Sequence, residues 1–177
     1  MAELKYIRGD ATSPVGPGMK YIIHCCNDVG VWGSGFVIAI SRCWTTPERA
    51  YRVWAEAEAY CHPEGPAVPF ELGRIQLVPV EHDVMVVNMI GQHGCGLDAH
   101  GNPPIRYTAI QRCLRILRHR LVVNQRESVY PLVQSVHCPR FGAYRAGGDW
   151  AEIERLINTE LVDKGVDVTV YDYPGAE

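Results

Sequence analysis

Three polar residues, His24, Asn27 and Asp28, stand directly before a glycine-rich stretch that runs from Gly30 to Gly35. Glycines leave backbone N–H groups accessible because no Cβ keeps a ligand away from them. The N-terminus of the helix predicted after them adds a partial positive charge, and proteins hold phosphate groups with this combination. The stretch therefore predicts a site for a nucleotide-like ligand, with an imidazole and a carboxylate close by for proton transfer.

The elements that must position this site alternate between strands and helices. Apolar runs and period-two patterns predict strands at Leu4–Arg8, Tyr21–Cys25, Arg74–Val80, Asp83–Ile90, Gln134–Cys138 and Val166–Tyr173. Helices are predicted after a Ser34 N-cap, from Thr46, after Pro103-Pro104, and from an Asp149 capping box to Gly165. This order predicts an α/β fold, a three-layer α/β/α sandwich with a mixed, mostly parallel central sheet. Loops 24–35, 91–102 and 139–149 are expected to meet at one edge of that sheet.

The bulk composition limits the class of protein. The chain has 177 residues, of which 47% are hydrophobic and 21% charged, and these values fit a single globular domain over residues 1–177. A net charge of −3 gives no general nucleic-acid or membrane footprint. The arginines between Arg106 and Arg120 form either a local basic pocket or a solvated helix face. Seven cysteines without disulfide spacing, and an N-terminus without the apolar core of a signal peptide, predict a reduced cytoplasmic protein.

Several loop sequences resemble those of one known family. They are Gly9-Asp10-Ala11-Thr12, the Asn27 turn with Gly33-Ser34-Gly35, and Pro139-Arg140-Phe141-Gly142 ahead of Gly147-Gly148-Asp149-Trp150. In this order, and over Leu4 to about Tyr173, they look like a macrodomain, which is an ADP-ribose-binding domain. The stretch from His24 to Gly35 and the closing Val170-Tyr171 are similar to the branch that contains ADP-ribose-1″-phosphate phosphatases and small ADP-ribosyl glycohydrolases.

The resemblance implies a role for each matched residue. Asp10 would accept a hydrogen bond from the adenine amine, or would cap the turn after the first strand. Asn27 would hold the distal ribose, and Tyr171 or Tyr173 would stack on adenine or belong to the core. Tyr144 and Arg145 depart from the family pattern, which often has small or aliphatic residues there; Tyr144 would narrow the cleft or cover the ribose, and Arg145 would pair with phosphate oxygens. The implied ligand contacts are Asp10, Ala11, Asn27, Trp32, Gly33, Ser34, Gly35, Phe36, Gln92, Arg140, Gly142, Ala143, Tyr144, Arg145, Ala146 and Tyr171.

The chemistry expected of this site is hydrolysis by an activated water. One glycohydrolase subgroup of the family forms a lysine adduct, but the lysines of this chain lie outside the three loops, at Lys5, Lys20 and Lys164. His24 is the first candidate for proton transfer, with a satisfied core histidine as the alternative. The predicted catalytic residues are His24, Asn27, Asp28 and His93.

Other function classes fit parts of the sequence. A reader module would bind ADP-ribose without cleaving anything. A zinc site would use His93, Cys95 and His100, helped by His62 or Cys61. A cysteine hydrolase would use Cys25 or Cys26, although buried cysteines are common packing residues. A nicotinamide oxidoreductase would need a G-x-G-x-x-G order and a later acid that this chain lacks.

The sequence thus predicts a macrodomain that binds ADP-ribose and hydrolyses ADP-ribosyl linkages on protein or nucleic acid, or dephosphorylates ADP-ribose-1″-phosphate. A non-catalytic reader is the alternative. We expect no cofactor and no metal, a monomer, and ADP-ribose or an ADP-ribosylated macromolecule as the partner. The group attached to ADP-ribose is left open.

Overall fold

The computed structural model describes residues 1–60, 66–129, 132–143 and 146–174. Its strands, in chain order, are β1 (Leu4–Arg8), β2 (Met19–Asn27), β3 (Ala59–Tyr60), β4 (Val68–Pro69), β5 (Ile75–Glu81), β6 (Val84–Gln92), β7 (Gln134–Pro139) and β8 (Asp167–Asp172). Its helices are α1 (Phe36–Cys43), α2 (Thr46–Glu56), α3 (Tyr107–Glu127) and α4 (Trp150–Glu160). A short 3-10 turn, Val162–Lys164, follows α4.

The longer strands form one sheet in the order β1-β8-β7-β2-β6-β5, and β3 pairs separately with β4. All neighbours in the large sheet are parallel except β5, which runs antiparallel to β6 at the edge. This outer strand contains Pro79, and its pairing register shifts between Pro79 and Glu81. α1 and α2 cover one face, and α3 and α4 cover the other. The predicted three-layer sandwich with a mostly parallel sheet is confirmed.

Strand β2 lies in the middle of the sheet and is buried on both faces. Tyr21 and Ile23 join the core beneath α3 and α4, whereas Ile22 and Cys26 join the core beneath α1 and α2. Alternation along a strand sends successive side chains to opposite layers, so a strand covered on both sides needs apolar residues at nearly every position. β2 continues past its predicted end to Asn27, so that His24 lies inside the strand.

Two predicted helix starts differ in their caps. Ser34 does not cap α1, because the N-cap is Gly35 and no side chain bonds to it. The φ of Gly35 is 84°, a left-handed value that favours glycine. Asp149 caps α4 as predicted and accepts the N–H of Ala151 at 2.9 Å. The N–H of Asp149 donates to the Tyr107 hydroxyl at 2.8 Å, in place of the reciprocal bond of a capping box.

The longest helix, α3, is amphipathic. Its apolar side, which includes Ile110, Leu114 and Leu117, is fully buried against the sheet and α4. The helix begins at Tyr107, a little after the Pro103-Pro104 pair. Within the described part of the chain, neither α3 nor any other helix is long and apolar enough to cross a bilayer.

Candidate ligand-binding site

The three predicted loops meet at the carboxyl edge of the parallel strands. The N–H of Asp28, just after β2, donates to the carbonyl of Gln92 at the end of β6 at 3.1 Å. The loop after β6 also contacts the loop after β7, since a Cβ added at Gly147 would lie 2.7 Å from the Cβ of Pro103. All three loops therefore border one surface, at the edge where open α/β sheets place their ligands.

Asn27 organises the turn that follows β2. Its amide oxygen accepts the N–H groups of Val29 and Val31 at 3.1 and 3.0 Å, and the hydroxyl of Tyr51 at 2.8 Å. Its amide nitrogen donates to the carbonyl of Val31 at 2.5 Å. The residue is only 6% exposed. The amide that the resemblance assigns to the distal ribose is thus engaged in shaping the turn.

The stretch 32–36 leads from this turn into α1. Its centre, Gly33-Ser34-Gly35, is exposed, and Phe36 is half-buried. Trp32 is buried and anchors the stretch through its indole N–H, which donates to Ser41 Oγ at 2.8 Å. The first N–H groups of a helix have no partner within the helix, so the N-terminus of α1 offers donors and a partial positive charge. The arrangement suits an anionic group.

The two ends of the loop after β7 are held close together. The N–H of Gly148 donates to the carbonyl of Gly142 at 2.9 Å. Gly142 has a φ of 72°, and a Cβ there would lie 2.8 Å from the side chains of Ile105 and Ile153. Ala143 pairs with Gly148 in an isolated bridge. Glycine at position 142 is therefore required both by the backbone conformation and by the close approach of two isoleucines.

The remaining loop contacts predicted from the resemblance differ in exposure. Ala11 and Ala146 are buried, at 3% and 7% exposure. Gln92 is half-buried and donates through Nε2 to the carbonyl of Gly94 at 3.1 Å. Tyr144 and Arg145 lie outside the described residues, and their contacts stay predictions.

Asp28 and His93 form a hydrogen-bonded pair at the edge where β2 and β6 end. Asp28 Oδ2 lies 2.6 Å from His93 Nδ1, and Oδ1 accepts the N–H of Gly94 at 2.8 Å. Because a carboxylate only accepts, Nδ1 carries the proton, and Nε2 of a neutral ring is left as an acceptor. The His93 side chain is 60% exposed, whereas that of Asp28 is 15% exposed. A largely buried carboxylate therefore orients a solvent-facing imidazole, an arrangement suited to general acid–base chemistry.

Asp10 follows β1 at the same edge of the sheet. Its Oδ1 accepts both the N–H and the hydroxyl of Thr12, each at 2.8 Å. Asp10 therefore caps the turn after the first strand, which is one of the two roles expected for it. Within the described chain no donor reaches its other oxygen, Oδ2. The turn-capping role thus leaves one carboxylate oxygen for an amine of a ligand.

His24, the first catalytic candidate, lies in the core beneath α1 and α2. It is 1% exposed, and its Nε2 donates to Asn88 Oδ1 at 2.7 Å. Trp32 and Phe36 pack against it, with ring centroids 5.4 and 6.2 Å away. Burial lowers the pKa of His24 to about 4, so the ring is neutral near neutral pH. The geometry favours the alternative of a satisfied core histidine.

Tyr171 and Arg140 are also engaged within the protein. Tyr171 is 3% exposed, and its hydroxyl accepts the N–H of Val15 at 3.0 Å, which fits the core alternative. Arg140 donates to both carboxylate oxygens of Asp172, at 2.6 and 3.1 Å. This bidentate pairing uses the guanidinium donors that could otherwise bind a phosphate group. Tyr171 therefore fits the core alternative, and the ligand contact listed for Arg140 stays a prediction.

The surroundings of the cysteines and of the proposed zinc ligands do not support the cysteine-hydrolase and zinc-site alternatives. Burial raises the pKa of the Cys25 thiol to about 12 and that of Cys26 well above its ordinary value, so both are poor nucleophiles. Among the described residues, no three His, Cys, Asp or Glu side chains are grouped as metal ligands. The predicted zinc helpers, Cys61 and His62, lie outside the described residues.

Tyr51 is a residue beside the candidate site that the sequence did not point to. It is fully buried in α2, and its hydroxyl donates to both the carbonyl and the amide oxygen of Asn27. The helical spacing of Pro47, Tyr51 and Trp54 could have identified it, because these three are the buried residues of α2. A tyrosine on the buried stripe of a helix needs a partner for its hydroxyl, and that requirement points to a nearby polar turn.

The chain is similar to solved bacterial structures over nearly all of its length. A macrodomain protein from Streptomyces coelicolor is 43% identical, with a TM-score of 0.76 over 97% of this chain and 100% of that one. A protein of unknown function from Bacteroides thetaiotaomicron is 45% identical, with a TM-score of 0.84 over 97% of this chain and 98% of that one. No family model matches the sequence. With this identity over a whole solved macrodomain, the chain belongs to the macrodomain family.

More distant relatives share the fold or one region. Chromodomain-helicase-DNA-binding protein 1-like from Danio rerio is 27% identical over 96% of this chain but only 16% of its own length. This chain spans about one-sixth of the length of the curated relatives it matches. Thermosipho africanus DarTG, solved in complex with ADP-ribose, is 14% identical and shares the fold, with a TM-score of 0.64 over 90% of this chain and 39% of that one.

Proposed function

We propose that this macrodomain binds ADP-ribose and hydrolyses the bond between its distal ribose and an attached group. Membership of the family and the shared fold with the ADP-ribose-bound DarTG support the ligand. The hydrogen bond of 2.6 Å between Asp28 and the exposed His93 carries the hydrolase part of the proposal. The pair lies beside the turn that Asn27 holds, at the edge where loops of the sheet meet.

The diphosphate is assigned to the exposed Gly33-Ser34-Gly35 stretch and the N-terminus of α1. Backbone N–H groups and the helix dipole there are suited to two adjacent negative charges. Trp32 keeps the stretch in place from below, because its indole N–H is bonded to Ser41. Asp10 Oδ2 is assigned to the adenine amine, a contact that an acceptor-only carboxylate makes well.

His93 is assigned the general base. Its Nε2 takes a proton from a water molecule while Nδ1–H stays donated to Asp28, whose charge stabilises the imidazolium that forms. The water oxygen bonds to the anomeric carbon as the bond from that carbon to the attached group breaks. The attached group leaves with the bonding electrons and takes a proton from solvent. A lysine adduct has no support, since the buried Lys20 ammonium pairs with Asp83 at 2.5 Å.

The test compares His93→Gln with wild type on an ADP-ribosylated protein and on ADP-ribose-1″-phosphate, with product release as the readout. Loss of a general base lowers kcat by roughly 100-fold or more. ADP-ribose affinity, measured by calorimetry, is expected to change less than about twofold, since His93 acts on the water and not on the ligand. His100→Gln is the matched control, because His100 is an exposed histidine of the same loop.

Each other result points to a different function. Tight ADP-ribose binding by wild type with no product from either substrate would make the protein a reader. Release of phosphate alone would identify a phosphatase of ADP-ribose-1″-phosphate. Equal turnover by His93→Gln and His100→Gln would remove His93 from the chemistry.

A further inference from the structure

A groove lined by arginines opens at the same sheet edge, on the side of α3. Its cavity of about 350 Å³ is bordered by Glu71, Gly73, Arg74, Arg112 and Arg115, with Leu72 and Ile116 as its apolar part. Gly73 allows α3 to approach, since a Cβ there would lie 2.9 Å from Arg112 Cδ. Two separate segments, the residues before β5 and the helix α3, therefore build this groove.

The groove carries an excess of positive charge. Arg74 pairs with Glu71 at 2.7 Å, and Arg115 pairs with Glu160 at 2.9 Å. The same Glu160 carboxylate also accepts from Arg118 at 3.3 Å, so two guanidinium groups share one carboxylate. Within the described chain no carboxylate pairs with Arg112, whose side chain is exposed. An anionic group is the complement of such a site.

The groove lies a short distance from the Asp28–His93 pair. The N–H of Gly73 donates to the carbonyl of Ile90 at 2.8 Å, and β6 runs from Ile90 towards His93. Three residues of strand cover about 10 Å. An extended peptide covers the same distance in about three residues.

A second cavity lies beside Asp28 and has the opposite charge. It has a volume of about 460 Å³, and its lining includes the carboxylates of Asp28, Glu58 and Glu71. Glu71 borders both cavities. A nucleic-acid strand carries a phosphate at every nucleotide and would set some of them against these carboxylates. A peptide places its negative charge at one residue and avoids them.

We propose that the arginine groove binds an acidic side chain of an ADP-ribosylated peptide, about three residues from the modified position. The inference rests on the proposed function and names its substrate class. Arg112 is the specificity residue, because its guanidinium has no carboxylate of the described chain to satisfy it. A single charge-assisted contact at an exposed site corresponds to about a fivefold gain in affinity.

The experiment measures binding, so that it does not depend on turnover. ADP-ribose is joined through a non-hydrolysable link to a fluorescent peptide that has Glu or, in a second peptide, Gln three residues from the link. Fluorescence anisotropy is expected to give wild type an approximately fivefold preference for the Glu peptide. Arg112→Gln loses that preference and binds free ADP-ribose as wild type does. Arg126→Gln is the control, an exposed arginine about 21 Å further along α3 that keeps the preference.

The outcomes separate the two proposals. Equal binding of both peptides by wild type, or a preference that survives Arg112→Gln, overturns the groove assignment while leaving ADP-ribose binding intact. If Arg112 strengthens the binding of an ADP-ribosylated oligonucleotide by the same fivefold, the choice of a peptide as the substrate is overturned. If free ADP-ribose itself does not bind, the proposed function fails, and the groove assignment falls with it.

Discussion

Acid is expected to destabilise this protein through a histidine in its core. Burial lowers the pKa of His24 from its ordinary 6.5 to about 4, because the charged ring would lose its water beneath Trp32 and Phe36. The unfolded chain therefore binds a proton at a higher pH than the folded chain does. The stability that neutral His24 provides is complete above about pH 6.5 and is lost as the pH falls towards 4.

The size of the effect follows from the gap between the two pKa values of His24. A gap of roughly 2.5 pH units, at 1.36 kcal/mol each, corresponds to about 3 kcal/mol once acidification is complete. Between pH 7 and pH 5 about 2 kcal/mol of this is lost. His137, whose pKa burial also lowers to about 4, adds a similar loss. The His24 contribution is isolated by His24→Gln, which leaves His137 and every carboxylate unchanged.

Urea unfolding at pH 7 and pH 5 measures the difference. The His24→Gln variant is less stable than wild type at pH 7, because its packing against Trp32 is poorer, but it should lose about 2 kcal/mol less on acidification. His82→Gln, at a side chain that is 91% exposed, removes a histidine without touching the core and serves as the control. If His24→Gln and wild type lose the same stability between the two pH values, His24 is not held neutral by its burial in the core.

Two further predictions concern the loops of the site. Asn27→Ala removes the acceptor of three hydrogen bonds in the turn after β2, so it should cost about 2 kcal/mol of stability and weaken ADP-ribose binding at least tenfold; an unchanged affinity by calorimetry would show that the turn does not shape the ligand site. Gly142→Ala should cost about 3 kcal/mol in urea unfolding, because it adds a left-handed φ to a close approach of two isoleucines. Gly94 also has a left-handed φ, of 66°, but open space where a Cβ would lie, so Gly94→Ala should cost only about 1 kcal/mol. Equal losses of stability for the two substitutions would show that the isoleucines do not clash with a Cβ at position 142.

Periodicity and turn residues were sufficient to predict the layers of this fold. The apolar run from Tyr21 to Cys25 requires a strand covered on both faces, and β2 is the strand between β7 and β6. The predicted helix end at Gly165 is five residues late for α4, which stops at Glu160; Gly165, with a φ of 89°, ends the 3-10 turn that follows. These signals are local, so one chain segment contains all the information needed to read them.

The parts of the site that depend on contacts between segments were harder to predict. His24 looked catalytic because it stands near the end of a short predicted strand, but β2 is longer and the ring turns into the core. His93 and Asp28 are 65 residues apart, and their pairing depends on the register between β2 and β6. The pattern of either strand alone does not predict that register, because the two strands are far apart in the chain. The loop motif predicts Arg140 as a ligand contact, but its guanidinium donates to Asp172 on the neighbouring strand β8.

The outer strand β5 affects how this protein meets other copies of itself in a crowded solution. An edge strand normally presents a row of backbone donors and acceptors that can template aggregation. Proline is tolerated at such an edge with its missing donor facing outward, so Pro79 leaves a foreign strand one hydrogen bond short. The register shift beside Pro79 also distorts the ladder that an incoming chain would have to follow. Fibril growth from this side of the sheet is therefore opposed by the covalent structure of one residue.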